Sequence, residues 1–489
     1  MPTDAPQGVA QPAWIRSFIS LRHEMDEWIA ASLPVHSRVP YLGIHDEGAF
    51  AASFLCHYQL TRDPAILDFA RYLRGEFARW AQDHFVHGFA PRGEVHHQTE
   101  IFTTFLLRLW HVDPDDQTAE LILDAAEHLG NWVPGIPAWY DWDSDRFLGW
   151  HLGTCETQDE GFEVADHFRL IQLALGAYLI SEDDRYLDLS RRWVTRWAGA
   201  IVEAEDEPPN VRFQGTPSVS HPLIETARGS QHAGSGRLGL IEPFVAAGAI
   251  DVFLDLYQLT GDALFANAAR VLCAPLVEDI ADPYSNPPGV LLQRYRLESA
   301  DTSFDAQVGT ALAGVSQEDS GKLVMMLEEP AEGPVRGIGK RSDMIRWAYR
   351  EDDGLLRPEE SPSPSALMLA YQISGSDAYA ARALNLAASR LRLARPALTD
   401  GRLHGCSGRS VAAVASGHGR DSGYGNVTGS LYPLAYGAVK FVGQERPAVK
   451  LLPDGGGLPA EAAALTRRNP VVPPTVALYK DGQLLPVTS

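Results

Sequence analysis

A chain of 489 residues that is 45% hydrophobic and 21% charged is long enough for two or three ordinary domains, or for one large toroid or barrel. Its formal net charge of −22, with no basic stripe in any segment, excludes a nucleic-acid surface, and no apolar run approaches the ~20 residues that cross a bilayer, so neither nucleic acid nor membrane is expected as a partner. Cys56, Cys155, Cys273 and Cys406 lie far apart without CxxC spacing, which excludes a zinc ribbon and a disulfide framework.

The first residues, MPTDAPQGVAQPAW, show neither a basic n-region nor an apolar h-region. The expected location is the cytoplasm, or outside the cell if a leader has been removed. An amphipathic stretch over residues 14–31 follows. The chain then repeats one design five times: an apolar helical run, a short turn with an acidic residue, and a second, striped helix. The repeats are CHYQLTRDPAILDFARYLRGEF, LRLWHVDPDDQTAELILDAAEHLGNW, LGAYLISEDDRYLDLSRRWVTRW, LDLYQLTGDALFANAARVLCAPL and LAYQISGSDAYAARALNLAASRL. Asp63, Asp113, Asp183, Asp262 and Asp377 stand where a carboxylate can accept from the first-turn N–H groups of the second helix, and Pro64 and Pro114 suit a first helical position.

In the third repeat residues 168–180 are apolar nearly all round, which predicts a helix covered on both sides. Its partner places Tyr186, Leu189, Trp193 and Trp197 at helical spacing with charges between, as one wet face requires. The first helix of each pair is therefore inner and the second outer. A sixth inner helix at 429–441 lacks a following partner and the 14–31 helix lacks a preceding one, so the two ends are predicted to close the ring. The fold is all-α, an (α/α)6 toroid of six helical hairpins over residues 14–443. A small insertion at 281–342 carries two β-like runs, VLLQRYRLE and KLVMMLEE. The C-terminal tail, 444–489, ends in VALYKDGQLLPV, whose Asp-Gly predicts a β-hairpin.

Inner helices that run the same way bring the segments before them to one mouth. These segments hold close to half of the 16 histidines. Before helix one stand His45 and Asp46; before helix two, His96, His97 and Glu100. Residues 150–169, WHLGTCETQDEGFEVADHFR, contribute Trp150, His151, Asp159, Glu160, Glu163, Asp166, His167 and Arg169 before helix three. His232, Arg237 and Glu242 precede helix four, and REDDGLLRPEESPSPS precedes helix five. Before helix six come His418, Arg420, Asp421, Tyr424 and Asn426. An acid just before a helix can serve only as a cap, and a histidine there only as a scaffold. Convergence of six segments is what points to a site. At the start of helix three, Glu163 lies four residues before His167, a spacing that predicts it orients that ring.

Other motifs carry less. GSGRLG, 234–239, has the GxGxxG form but no strand before it. Asp141, Asp143 and Asp145 alternate in DWDSD and offer carboxylate oxygens to Ca²⁺, although the Glu that closes an EF-type loop is missing. No other metal or cofactor is expected.

DDGLLRPEESPSPSALMLAYQI, through Gly354, Leu355, Glu360, Ser361, Ser365, Ala366, Met368, Ala370 and Tyr371, resembles a stretch of the unsaturated glucuronyl and rhamnogalacturonyl hydrolases. The resemblance implies a six-hairpin glycosidase-like enzyme in which an Asp before or within an early inner helix acts as general acid and base on an unsaturated uronate. The segment before helix two, HHQTE, lacks such an Asp.

Two chemistries suit the mouth. Glycoside hydrolysis takes a carboxylic acid and a carboxylate across the scissile bond, offered by Glu100, Asp159 and Asp166 with Glu160, Glu242 and Asp421 nearby. β-Elimination from a polyuronate takes a His or Tyr base, offered by His97, His232 and Tyr424, with Arg237, Arg420 and Asn426 to stabilise the carboxylate. His45, Asp46, His96, Trp150, His151, His167, Arg169 and His418 complete a substrate-binding set in either case. The expected function is glycoside hydrolysis of uronic-acid-containing oligosaccharides, with a polysaccharide lyase as the alternative. An epimerase or isomerase on the same ring, or a non-enzymatic helical-repeat binding protein, rank below both. The partner is an oligosaccharide or polysaccharide, and the broad apolar outer faces leave room for a homo-oligomer.

Overall fold

The computed structural model describes residues 15–203 except 39, 42, 44–45, 92, 150 and 154–162; residues 244–313 except 245–246, 279, 281–288 and 300; and residues 322–327, 345–350, 356–358, 364–398, 479–480 and 483–484. Among the described residues six helical pairs follow one another around the ring. They are α2 (Asp46–Thr61) with α3 (Pro64–His84); α4 (Val95–Glu100), a π-helical segment (Ile101–Leu106) and α5 (Leu107–Val112) with α6 (Asp116–Ala126); α7 (His167–Ser181) with α8 (Asp184–Glu203); α9 (Ala249–Thr260) with α10 (Ala263–Glu278); α11 (Gly289–Ser299) with α12 (Thr302–Leu312); and α13 (Pro364–Ser374) with α14 (Asp377–Leu398). The inner members touch in order: α2 on the π segment, α4 on α7, α7 on α9, α9 on α11, α11 on α13. In the outer layer α8 meets α10 and α10 meets α12. α1 (Ile15–His36) packs along α14 and against α3, so the start of the chain joins the last pair to the first, with Arg392 Nε 2.6 Å from a Glu24 carboxylate oxygen.

Burial follows the predicted layers. On α7 Phe168, Leu170, Ile171, Leu173, Ala174, Leu175 and Ala177 are all buried, as a helix covered on two sides demands, whereas α8 buries the stripe Tyr186, Leu189, Trp193 and Trp197. Asp63, Asp183 and Asp262 cap their outer helices by accepting from Ala65, Arg185 and Leu264 N–H at 3.0, 3.0 and 2.9 Å.

Three local expectations change. Asp113 is not a cap: its carboxylate takes two bonds from Arg71, and α6 begins after Asp115, which accepts from Thr118 N–H at 3.0 Å. VLLQRYRLE is not a strand. It lies in α11, where Arg294 donates to Glu298 one turn later and to Asp251 of α9, contacts that alternation in sequence does not reveal. Residues 289–312 therefore belong to the ring, not to the 281–342 insertion, and the β structure runs later, as an antiparallel sheet of β5 (Lys322–Leu327), β6 (Ile345–Arg350) and β7 (Leu356–Pro358). KLVMMLEE does supply β5. Smaller antiparallel pairs are β1 (Gly93–Glu94) with β4 (His151–Leu152), β2 (Tyr140–Asp141) with β3 (Arg146–Phe147), and, in the tail, β8 (Tyr479–Lys480) with β9 (Gln483–Leu484), the pairing predicted from Asp-Gly. The expected helix at 429–441 lies outside the described residues. Among the described residues no helix is long and apolar enough to cross a membrane.

The exchange of Asp113 for Asp115 is testable. Asp115→Ala removes a cap and an Arg74 partner and is expected to cost about 1–2 kcal/mol, read as a lower urea midpoint. Asp113→Ala breaks a pair whose Arg71 is 46% exposed and is expected to change stability by less than about 1 kcal/mol. The opposite ranking would contradict the assignment.

Candidate active site

The second and third mouth segments are joined by backbone pairing. β1 and β4 place Gly93 opposite Leu152 and Glu94 opposite His151. The approach is close: Gly153 has φ +70°, and a Cβ on it would collide with the Ala90 carbonyl. Gln98 of α4 accepts from Ala90 N–H at 2.7 Å and fixes the same turn. Residues far apart in sequence thus meet where α4 and α7 begin.

At the start of α7 three neighbouring polar residues have three different roles. Glu163 is fully buried and accepts from Phe147 N–H at 3.1 Å and Trp193 Nε1–H at 2.5 Å, with its second oxygen on Arg196. Burial pushes its carboxyl up, and the Arg196 guanidinium offsets part of that. It does not orient His167, because the helix starts only at His167 and a four-residue spacing outside a helix carries no register. The His167 ring is held by backbone instead: Nδ1 accepts from Val164 N–H at 3.1 Å, so the proton sits on Nε2, which donates to Gly149 O at 3.0 Å. With both nitrogens engaged and the ring stacked on Phe147, His167 supports the loop and leaves no nitrogen for a ligand.

Asp166 differs from the acids that start outer helices. It occupies the N-cap position of α7 with helical backbone angles and makes no side-chain bond to the first-turn N–H groups. It is nearly buried, and Arg169 Nε, also buried, lies 3.5 Å from its Oδ1. A carboxylate beside a guanidinium at the start of an inner helix can exchange a proton or bind a polar ligand, and the guanidinium suits an anionic one. Glu100 closes α4 and is buried. His151, on β4, keeps part of its surface accessible.

His45, Trp150, Asp159, His232, Arg237, His418, Arg420, Asp421, Tyr424 and Asn426 lie outside the described residues, as do the side chains of Asp46, His96 and His97. Two of the three DWDSD acids are used locally. Asp141 accepts from Asp143 N–H at 3.0 Å and from the Ser144 hydroxyl, which holds its carboxyl below the usual range, and Asp145 pairs with Arg192 at 3.0 Å. Among the described residues no three His, Cys, Asp or Glu side chains gather as a metal site.

A charged cluster between α9 and α11 was not anticipated. Buried Arg294 donates to Asp251 Oδ1 at 2.6 Å, to Glu298 Oε1 at 2.9 Å and to Asp255. Three carboxylates share one buried guanidinium, Asp251 and Glu298 out of contact with water and Asp255 partly exposed, so they resist full ionisation. Burial pushes all three up, Asp251 to about 6, with Arg294 opposing. Paired i, i+4 charges on inner helices, Asp251 with Asp255 and Arg294 with Glu298, were the available signal.

No family model and no curated protein matches the sequence. Solved structures that resemble the chain include an unsaturated glucuronyl hydrolase, responsible for the degradation of glycosaminoglycan, from Bacillus sp. GL1, at 16% identity over 76% of this chain and 96% of that one, with a TM-score of 0.42. The unsaturated glucuronyl hydrolase from Streptococcus agalactiae matches at 11% identity over 78% and 98%, TM-score 0.42, and a polysaccharide lyase at 12% over 77% and 97%, TM-score 0.37. The resemblance is distant, and no residue role is carried across from it.

The α9–α11 cluster sets a pH dependence. Asp251 has a folded pKa raised to about 6, so its contribution to stability is present below the ordinary carboxylate range and is lost as pH rises through about 6. Asp251→Asn keeps an oxygen for Arg294 and removes the titration. The urea midpoint of the variant relative to the natural protein is expected to rise from pH 5 to pH 7.5; a difference that stays constant or falls would contradict it.

Proposed function

We propose that the chain is a glycoside hydrolase acting on uronic-acid-containing oligosaccharides, with Asp166 as its acid–base carboxyl. The observation that supports this most is the position of Asp166, an acid at an inner-helix start that makes no cap bond and lies beside Arg169. In the proposed reaction the Asp166 carboxyl protonates the leaving glycosidic oxygen as the bond to the anomeric carbon breaks. Water adds at that carbon and its proton passes to a second mouth carboxylate, for which the sequence offers Asp159. Arg169 binds the uronate carboxylate, and the half-buried His151 contributes a hydrogen bond to a sugar hydroxyl.

The test combines two readouts on uronate-containing oligosaccharides. Released reducing ends should increase, while the ultraviolet absorbance of an unsaturated uronate falls or stays constant. Asp166→Asn is expected to lower kcat by about 10²–10⁴-fold with little change in melting temperature. A rise in that absorbance would show elimination and overturn hydrolysis. Full turnover in the Asp166→Asn protein would remove Asp166 from the mechanism, and unfolding of the variant would make it a structural residue.

A further inference from the structure

A cavity lies between the outer helices α3 and α6. It encloses about 450 Å³, within the range of small-molecule sites. Its walls are the last turns of α3, α6 from Gln117 to Asp124, and the turn that leads from α3 to β1. That turn is tight. Val86 N–H donates to Phe89 O at 2.7 Å, and His87 and Gly88 both have positive φ, +54° and +75°. A Cβ on Gly88 would lie 2.8 Å from Ala125 Cα, so the turn is seated directly on α6 and sets His87 beside His128, with ring centroids 5.8 Å apart.

The lining divides into a floor and a rim. Phe77, Phe85 and Phe102 supply an aromatic floor, while Gln82, Gln117, Glu120, Asp124, His87 and His128 supply hydrogen-bonding groups. His128 is 7% exposed; its Nδ1–H donates to Asp124 O at 2.7 Å, which leaves Nε2 as an acceptor with no hydrogen-bond partner among the described residues. Burial, and then the neighbouring His128, hold His87 below the usual imidazole range, in its neutral form. No Lys or Arg lines the cavity.

We propose that this cavity is a subsite for a pyranose unit that carries no negative charge, held more tightly when it bears an ammonium group. One apolar face of such a ring packs on the phenylalanines, its hydroxyls donate to Glu120, Asp124 and His128 Nε2, and an ammonium faces two carboxylates and aromatic rings. A uronate is repelled by the same carboxylates. The proposal rests on the reading of the chain as an oligosaccharide-processing enzyme, and assigns to this groove the uncharged or amino-sugar part of a substrate whose uronate is held near Arg169.

The test is saturation-transfer NMR on the full chain with D-glucosamine, methyl β-D-glucoside and D-glucuronate. Affinity is expected to fall in that order. Glu120→Lys with Asp124→Lys changes two exposed residues and leaves the core untouched; it is expected to weaken glucosamine at least about fivefold, the effect shrinking with added salt. His128→Ala is expected to weaken methyl β-D-glucoside, a loss that a charge effect alone would not produce. Binding of glucuronate as tight as that of glucosamine, no binding of either uncharged or amino sugar up to about 50 mM, or affinities unmoved by both variants would overturn the proposal. Absence of uronate-oligosaccharide turnover with this order of affinities intact would overturn the hydrolase reading alone.

Discussion

The inner helices of this ring are covered on both sides, and the rest of the structure depends on that constraint. A helix such as α7 that buries residues all round has no wet face on which to place charge, so its polar groups collect at the ends, where the free N–H groups and the positive end of the helix dipole favour acids. Outer helices escape the constraint. Their acids, Asp63, Asp115, Asp183 and Asp262, sit at the opposite end of the hairpins and bond to first-turn N–H groups. Asp166 sits at an equivalent position of an inner helix, with helical backbone angles and Arg169 beside it.

Two buried charge groups in the ring are compensated at once. Arg294 holds Asp251, Asp255 and Glu298 between α9 and α11, and Glu163 is enclosed by Arg196, Trp193 and the Phe147 N–H. Both groups tie neighbouring elements together: the first links the fourth inner helix to the fifth, and the second fixes the 140–147 hairpin to α8. Removing one partner would strand the other in a low-dielectric interior, which costs more than the pair contributes. They are therefore better read as clasps that set the ring than as a reaction centre.

Much of the fold was legible because each hairpin repeats one local device, an apolar run, an acid in the turn and a striped helix whose Trp193 and Trp197 recur at helical spacing. Legibility failed where tertiary contacts decide. The alternating pattern of VLLQRYRLE suits a strand, yet Arg294 finds its carboxylates on another helix and at i+4, and the segment is helical. Asp113 and Asp115 both precede the same helix, and only geometry shows which caps it. At the site, the meeting of the second and third mouth segments was legible in outline, and β1 with β4 supplies it. The roles within residues 163–169 were not legible: His167 is taken by two backbone groups, Glu163 by side chains 30 and 33 residues away, and neither bond follows from spacing along the chain.

The proposed chemistry takes place where α7 begins. A crystal structure of the Asp166→Asn protein with a bound uronate-containing disaccharide tests it most directly. A glycosidic oxygen within hydrogen-bonding distance of residue 166 and a uronate carboxylate on the Arg169 guanidinium are expected. A disaccharide bound only elsewhere on the ring, or oriented with its carboxylate away from Arg169, would contradict it.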